Sequence, residues 1–301
     1  IHIQHQWKTG EDLEIYEYDY TSHKSLQDIC QWKQPVIFEM EFPKIHKDPL
    51  EEVNVKDVRD CDSDESHVET IALSYSSARG LLDTDAKSKF YSCRNHARIK
   101  EDPIWRVWFQ TWDSYLKPPF CINRHYDVLY GSKKTCTTTQ IHYESHAYLY
   151  VPPETNKTSI RVKMTPYRSK AFMNVVSDYV NYEFWCKENL FQPHERIRCL
   201  DFLVKPGFVL YIPPYWFYSI EFQDKDNEVC LVKYTTGANL CANVKHVALF
   251  YMQQQNIHEK WWKPLQNTDI DLLPIKPDVE EELQYDVSQN VVEEKTVAEE
   301  R

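Results

Sequence analysis

Glycine is scarce, with five residues in 301. A phosphate cradle needs closely spaced glycines, because their backbone N–H groups must approach the ligand without a Cβ in the way. Neither GxGxxG nor GxxxxGK[ST] occurs, which disfavours dinucleotide-binding and P-loop readings. Paired cysteines are missing as well. Nine cysteines, at 30, 61, 93, 121, 136, 186, 199, 230 and 241, make no CxxC and are odd in number. That argues against a zinc ribbon and against a disulfide framework. Reduced cysteines in an intracellular compartment, cytoplasm or nucleus, are expected instead, with virion association an open alternative. No apolar run reaches about 18 residues, so no membrane partner is expected. A basic stripe is also lacking, and with it the expectation of a nucleic-acid partner. The net charge is −11, but nine acids and two bases fall within 278–301, leaving only −4 elsewhere. The acidity therefore describes a solvated tail more than the folded body.

What is present is a large apolar and aromatic complement, 42% and 14% of the chain. Residues 1–29 are polar and rich in tyrosine. QPVIFEMEF, at 34–42, reads as a buried strand. Asp102-Pro103 predicts a helix over roughly 102–116, with an acid at the N-cap and proline in the first turn. Ile104, Val107, Trp108, Thr111 and Tyr115 follow at helical spacing, and Trp105 and Trp112 widen the face. From 119 to about 236 the pattern turns to strands: RHYDVLY, CTTTQIHYESHAYLYV, SIRVKM, IRCLDFLV, FVLYI and EVCLVKY. Pro206-Gly207 suits the centre of a type II turn. Many short strands without alternating helices predict a mainly β fold, an antiparallel barrel or jelly roll. Helical spacing returns at 241–263, and 264–301 reads as a disordered acidic tail or docking arm.

The chemistry concentrates in TTTQIHYESHAYLYV. His142 and Glu144 stand at i and i+2, so on a regular strand both point to one side. An imidazole and a carboxylate are two-thirds of a facial triad for non-haem Fe(II). His146 continues the alternation and offers an HxExH set. However, His142 and His146 would lie about 13 Å apart along a strand. His194, in QPHER, reads as a solvated loop residue. The alternative for His142 is a hydrogen-bonded barrel histidine with no metal.

Three segments together resemble the JmjC and cupin-like 2-oxoglutarate oxygenases, most closely the asparaginyl-hydroxylase branch. Gln34-Pro35-Val36-Ile37 matches the early kPvv strand of that family. Thr139, His142 and Glu144 match T-x-x-H-x-[DE]. Gly207 through Trp216 match G-D-v-L-y-I-P-x-x-W-x-H. The resemblance covers about 30–240 and implies a double-stranded β-helix, Fe(II) and 2-oxoglutarate. It assigns His142 and Glu144 as metal ligands and Thr139 as a co-substrate contact. It places the usual lysine at Lys157, with Arg161 or Lys163 as alternatives. Lys233 falls near the co-substrate on the last strand. The third metal position carries Tyr218 instead of histidine, and a phenol of pKa about 10 is a poor Fe(II) ligand when protonated. Phe208 replaces the motif's aspartate.

Two readings follow. In the first, the chain is a degenerate member that keeps the barrel as a binding or structural scaffold without efficient catalysis, and uses no cofactor. In the second, it is an active Fe(II) and 2-oxoglutarate-dependent protein hydroxylase with an atypical metal site. Either expects a protein partner or substrate. The resemblance adds a possible homodimer contact through 241–263.

Overall fold

Side-chain alternation along short strands sets the architecture. The computed structural model describes residues 12–43, 48–58, 70–193 and 195–259, with side chains to 256. The expected acidic tail at 264–301 and His194 lie outside the described residues, as do residues 1–11 of the polar N-terminal segment. Strand β1 (Tyr16–Tyr18) leads through helix α1 (His23–Cys30) to β2 (Val36–Glu39), β3 (Glu52–Asp57) and β4 (Ile71–Ser74). Helix α2 (Tyr75–Thr84), β5 (Phe90–Ser92), α3 (His96–Glu101) and α4 (Pro103–Leu116) follow. Next come β6 (Cys121–Gly131), β7 (Thr139–Ile141), β8 (Ser145–Tyr150) and β9 (Ile160–Thr165). A 3-10 helix (Tyr167–Phe172) precedes β10 (Val175–Asp178), β11 (Glu183–Cys186) and β12 (Leu200–Val204). The last elements are β13 (Phe208–Ile212), β14 (Phe217–Glu221), β15 (Glu228–Thr236), α5 (Gly237–Ala242) and α6 (Val244–Glu259).

The strands form two sheets, in the orders β1-β2-β13-β8-β15-β6-β5-β3-β4 and β10-β11-β7-β14-β9-β12. Pairing is antiparallel apart from β1 with β2. This is a mainly β fold, consistent with a sandwich of two sheets. Alternation explains which residues lie between the sheets. Leu129, Leu149, Leu210 and Leu231 of the larger sheet meet Val162, Met164, Tyr218 and Ile220 of the smaller one in one buried cluster. The opposite face of the larger sheet, with Tyr148, Tyr211, Val232 and Tyr234, is covered by α1 and α4 through Leu26, Trp105, Phe109 and Trp112.

Local signals of the sequence act where they were read. Asp102 caps α4 by accepting from the N–H groups of Ile104 (2.8 Å) and Trp105 (3.1 Å), with Pro103 in the first turn. The face of this helix differs from the one its spacing suggested. Ile104 and Val107 are exposed, while Trp105, Trp108, Phe109, Trp112 and Leu116 are buried. The large rings remove more apolar area from water, so they take the core side. The turn after β12 is closed by Phe208 N–H donating to the Lys205 carbonyl at 3.1 Å, with Gly207 at φ +87°. That is the position of a type II turn that favours glycine. Asn156 is buried, its amide donating to the carbonyls of Pro152 (2.8 Å) and Glu228 (2.7 Å). The eight described cysteines are free thiols. Among the described residues no helix is long and apolar enough to cross a membrane.

CTTTQIHYESHAYLYV is not one strand. β7 ends at Ile141 and β8 begins at Ser145, so His142-Tyr143-Glu144 is a connection between the two sheets. The correction has a physical cause. Tyr143 turns into a separate aromatic cluster with Phe184 and Tyr215, which pulls the backbone out of strand register.

Gly131 ends β6 against Phe222. A Cβ there would meet the Cδ2 of this fully buried ring at 2.1 Å. Gly131→Ala is expected to destabilise the protein by about 1–3 kcal/mol. The check is a lower denaturant midpoint at unchanged slope; an unmoved midpoint would mean that the ring shifts aside freely.

Candidate functional site

The connection at 142–144 is held at each carbonyl. The His142 carbonyl accepts from Tyr215 N–H at 2.8 Å. The Tyr143 carbonyl accepts from the Asn243 amide at 3.1 Å, and that of Glu144 from the Asn239 amide at 3.2 Å. Tyr215 holds φ +67°, a left-handed conformation unusual for a bulky residue. Its hydroxyl donates to Asn243 Oδ1 at 2.8 Å, which ties the turn before β14 to the helical segment after β15.

With Tyr143 directed elsewhere, His142 and Glu144 line the same cavity, of about 470 Å³. The shared orientation expected from strand alternation is therefore present, although a turn produces it. Lys233 and Thr235 reach the cavity from β15, and His125 from β6. The register pairs Lys233 with His125 on one side and with Ala147 on the other, so all three side chains share the face between the sheets. The mouth is apolar, with Ile122, Leu240, Val247 and Phe250.

Tyr218 closes the histidine. Its hydroxyl donates to Gln140 Oε1 at 3.0 Å and lies 2.8 Å from His142 Nε2. With the proton on Nε2, the imidazole donates to the phenol oxygen, and that nitrogen has no lone pair to offer. Burial, with Lys233 beside it, pushes the His142 imidazolium well below its ordinary range, so the ring is neutral at pH 7. Burial also pushes the Tyr218 phenol far above its ordinary value, so tyrosinate is not accessible. Glu144 is buried, and burial raises its carboxyl to about 7. Ser145 Oγ donates to its Oε1 at 3.3 Å, while Oε2 has no hydrogen-bond partner. The Tyr182 hydroxyl lies near enough to favour the charged carboxyl, yet outside hydrogen-bonding geometry, so it too is unpartnered.

The other residues singled out from the sequence fall elsewhere. Thr139 is buried, and its hydroxyl donates to the Glu188 carbonyl at 2.7 Å. Lys157 is exposed in the loop before β9. Arg161 pairs with Asp201 at 2.6 Å, and Lys163 with the same carboxylate at 3.5 Å. Both alternate with the buried Ile160, Val162 and Met164, so they point away from the space between the sheets. His146 faces the other side of β8, where Nδ1 meets the Tyr211 hydroxyl at 2.8 Å and Nε2 the Asn239 amide at 3.2 Å. Hence HxExH does not assemble. Of the basic residues considered, Lys233 lines the cavity. Sequence reasoning missed Gln140, His125, Tyr182 and Glu183. Two of these had a signal, since Gln140 stands two before His142 and His125 is the second residue of the strand run RHYDVLY.

These residues do not fit an iron centre. The His142 nitrogen that would bind is engaged, the residue in the third position is a protonated phenol, and the phenol is held by Gln140. Among the described residues no group of three or more His, Cys, Asp or Glu side chains is arranged to hold a metal ion. Scans against protein-family models and against curated proteins find no match.

The raised Glu144 carboxyl has a consequence for stability. Unfolded, it ionises near 4.5; folded, near 7. The native state holds the extra proton between these values, so this group's contribution to stability is full below about pH 4.5 and lost as pH rises to about 7. Glu144→Gln is expected to flatten that limb. Denaturant titrations of both proteins at intervals across this window check it, and parallel pH profiles would refute it.

Proposed function

We propose that the chain is a JmjC or cupin-like protein that keeps the oxygenase architecture without efficient Fe(II) catalysis and acts as a binding or structural scaffold. The observation that carries this reading is the His142–Tyr218–Gln140 hydrogen-bond chain. It satisfies the imidazole, the phenol and the amide at once, where a metal centre would need the imidazole nitrogen free. The winding of the chain supports a double-stranded β-helix: β6 to β9 alternate between the two sheets, as do β12 to β15. In the larger sheet these strands lie in the order β13-β8-β15-β6, and in the smaller one β7-β14-β9-β12. Exposed Val244, Tyr251 and Met252 on α6 support the protein-partner side of the reading, including a homodimer contact.

Two measurements test it. Purified protein with Fe(II) and 2-oxoglutarate is expected to yield no succinate above the protein-free blank, and Mn(II) is expected to bind weakly. Tyr218→His frees His142 from the phenol and adds a second imidazole. Its Mn(II) affinity is expected to rise by more than the roughly 100-fold reached by residues behind the ligands. Stoichiometric metal binding with succinate formation by the unaltered chain would overturn the reading in favour of an active hydroxylase.

A further inference from the structure

We propose that the cavity between the sheets binds a small zwitterion of the α-amino-acid class, with its carboxylate on Lys233 and its ammonium on Glu144. This rests on the scaffold reading only in taking the cavity as free of iron. Lys233 Nζ makes no hydrogen bond or ion pair among the described residues, although the side chain is half-buried and lines the cavity. Glu144 is buried, lines the same cavity and keeps Oε2 unpartnered. The two charges act on each other across the space but do not form an ion pair.

A buried polar atom left without a partner is costly, so Glu144 Oε2 favours a ligand donor, and the half-buried Lys233 ammonium favours an anionic acceptor. Of the remaining groups, the Tyr182 hydroxyl lies beside Glu144 outside hydrogen-bonding geometry, and Asp127, which acts on Lys233 electrostatically, is taken up by the backbone N–H groups of Arg94, Asn95 and Val128. Glu183 lines the cavity, but Arg94 holds its carboxylate at 2.9 Å from Nε and 2.6 Å from Nη2. Burial keeps His125 and His142 neutral. One positive and one negative site therefore face the ligand. A simple anion would meet Lys233 and bring like charge towards Glu144, and a simple amine would leave Lys233 unanswered. A zwitterion answers both. The apolar mouth, with Leu240, Val247 and Phe250, suits an aliphatic or aromatic side chain. The volume of about 470 Å³ lies within the range of small-molecule sites.

The test is calorimetric titration of the metal-free full chain with L-leucine and with its two truncated forms, 4-methylpentanoate and 3-methylbutylamine. Leucine is expected to bind at least about tenfold more tightly than either, since each loses one charged contact. Lys233→Met is expected to bring leucine down to the amine, and Glu144→Gln down to the carboxylate. Thermal unfolding confirms that the variants fold; if either does not, the three-ligand series on the unaltered chain decides. Equal binding of 4-methylpentanoate and leucine would overturn the proposal and leave a plain anion site. So would tighter binding of 2-oxoglutarate than of leucine, or no saturable binding of leucine or phenylalanine at about 10 mM. Loss of the leucine preference leaves the scaffold reading standing, since that reading is overturned by metal binding with succinate formation.

Discussion

The hydroxyl of Tyr218 is a polar atom in the buried layer between two sheets, and it must be satisfied there. Its solution is a chain of hydrogen bonds through Gln140 on β7 and His142 just beyond it. β7 is only three residues long, Thr139–Ile141, and pairs with β14 at two positions. The side-chain bonds across that same pair lock the short strand to its neighbour. They also fix where the chain leaves the smaller sheet. The turn at 142–144 is then aimed, and with it Glu144. Removing the hydroxyl would leave an imidazole nitrogen and an amide oxygen buried without partners, each at a cost of about 1–3 kcal/mol.

A second constraint shapes the cavity from the other sheet. Along β15, Val229, Leu231, Lys233 and Thr235 face the space between the sheets. The apolar pair lies in the core, and the polar pair lies where the sheets part. The carboxylate of Glu183 is drawn aside by Arg94, which also approaches Asp178 at 3.7 Å. Arg94 itself is held by its backbone, since its N–H donates to Asp127 at 2.9 Å and it adopts φ +63°. Among the described residues no ion pair or hydrogen bond comparably restrains the Lys233 ammonium. The result is a polar end with one cation and one carboxyl, and an apolar mouth.

The sequence made much of this legible where a short-range rule applied. β13 and β15 were readable because their apolar residues are dense and β-branched or aromatic. The cap at Asp102 and the turn at Pro206-Gly207 were readable because each depends on neighbours within four residues. The break at His142-Tyr143-Glu144 was hidden, since it arises from Tyr143 meeting Phe184 and Tyr215, residues far along the chain. The buried face of α4 was hidden for the same reason: Ile104 and Trp105 are both apolar, while packing against the larger sheet buries the larger ring. Spacing drew attention to Lys157, yet facing decides reach. Lys157 lies in an exposed loop, and Lys233 sits mid-strand with its side chain inward. The short strands β1, β5 and β7 are three residues each, below the length at which alternation carries information.

Tyr218 joins two neighbours, His142 and Gln140. An imidazole in its place would hold a metal only if His142 also turned its nitrogen to the ion, and Gln140 would then lose its donor. The tyrosine satisfies His142 Nε2 and Gln140 Oε1 without a metal. This end of the fold is thus held by hydrogen bonding. Lys233 and Glu144 lie outside that network, so their charges contribute little to holding the sheets together. Burial makes Glu144 destabilising once ionised, and a half-buried unpaired lysine gains nothing from its position. Groups kept at such a disadvantage in one cavity are what a ligand of matching charge would stabilise, and the fold stands without them.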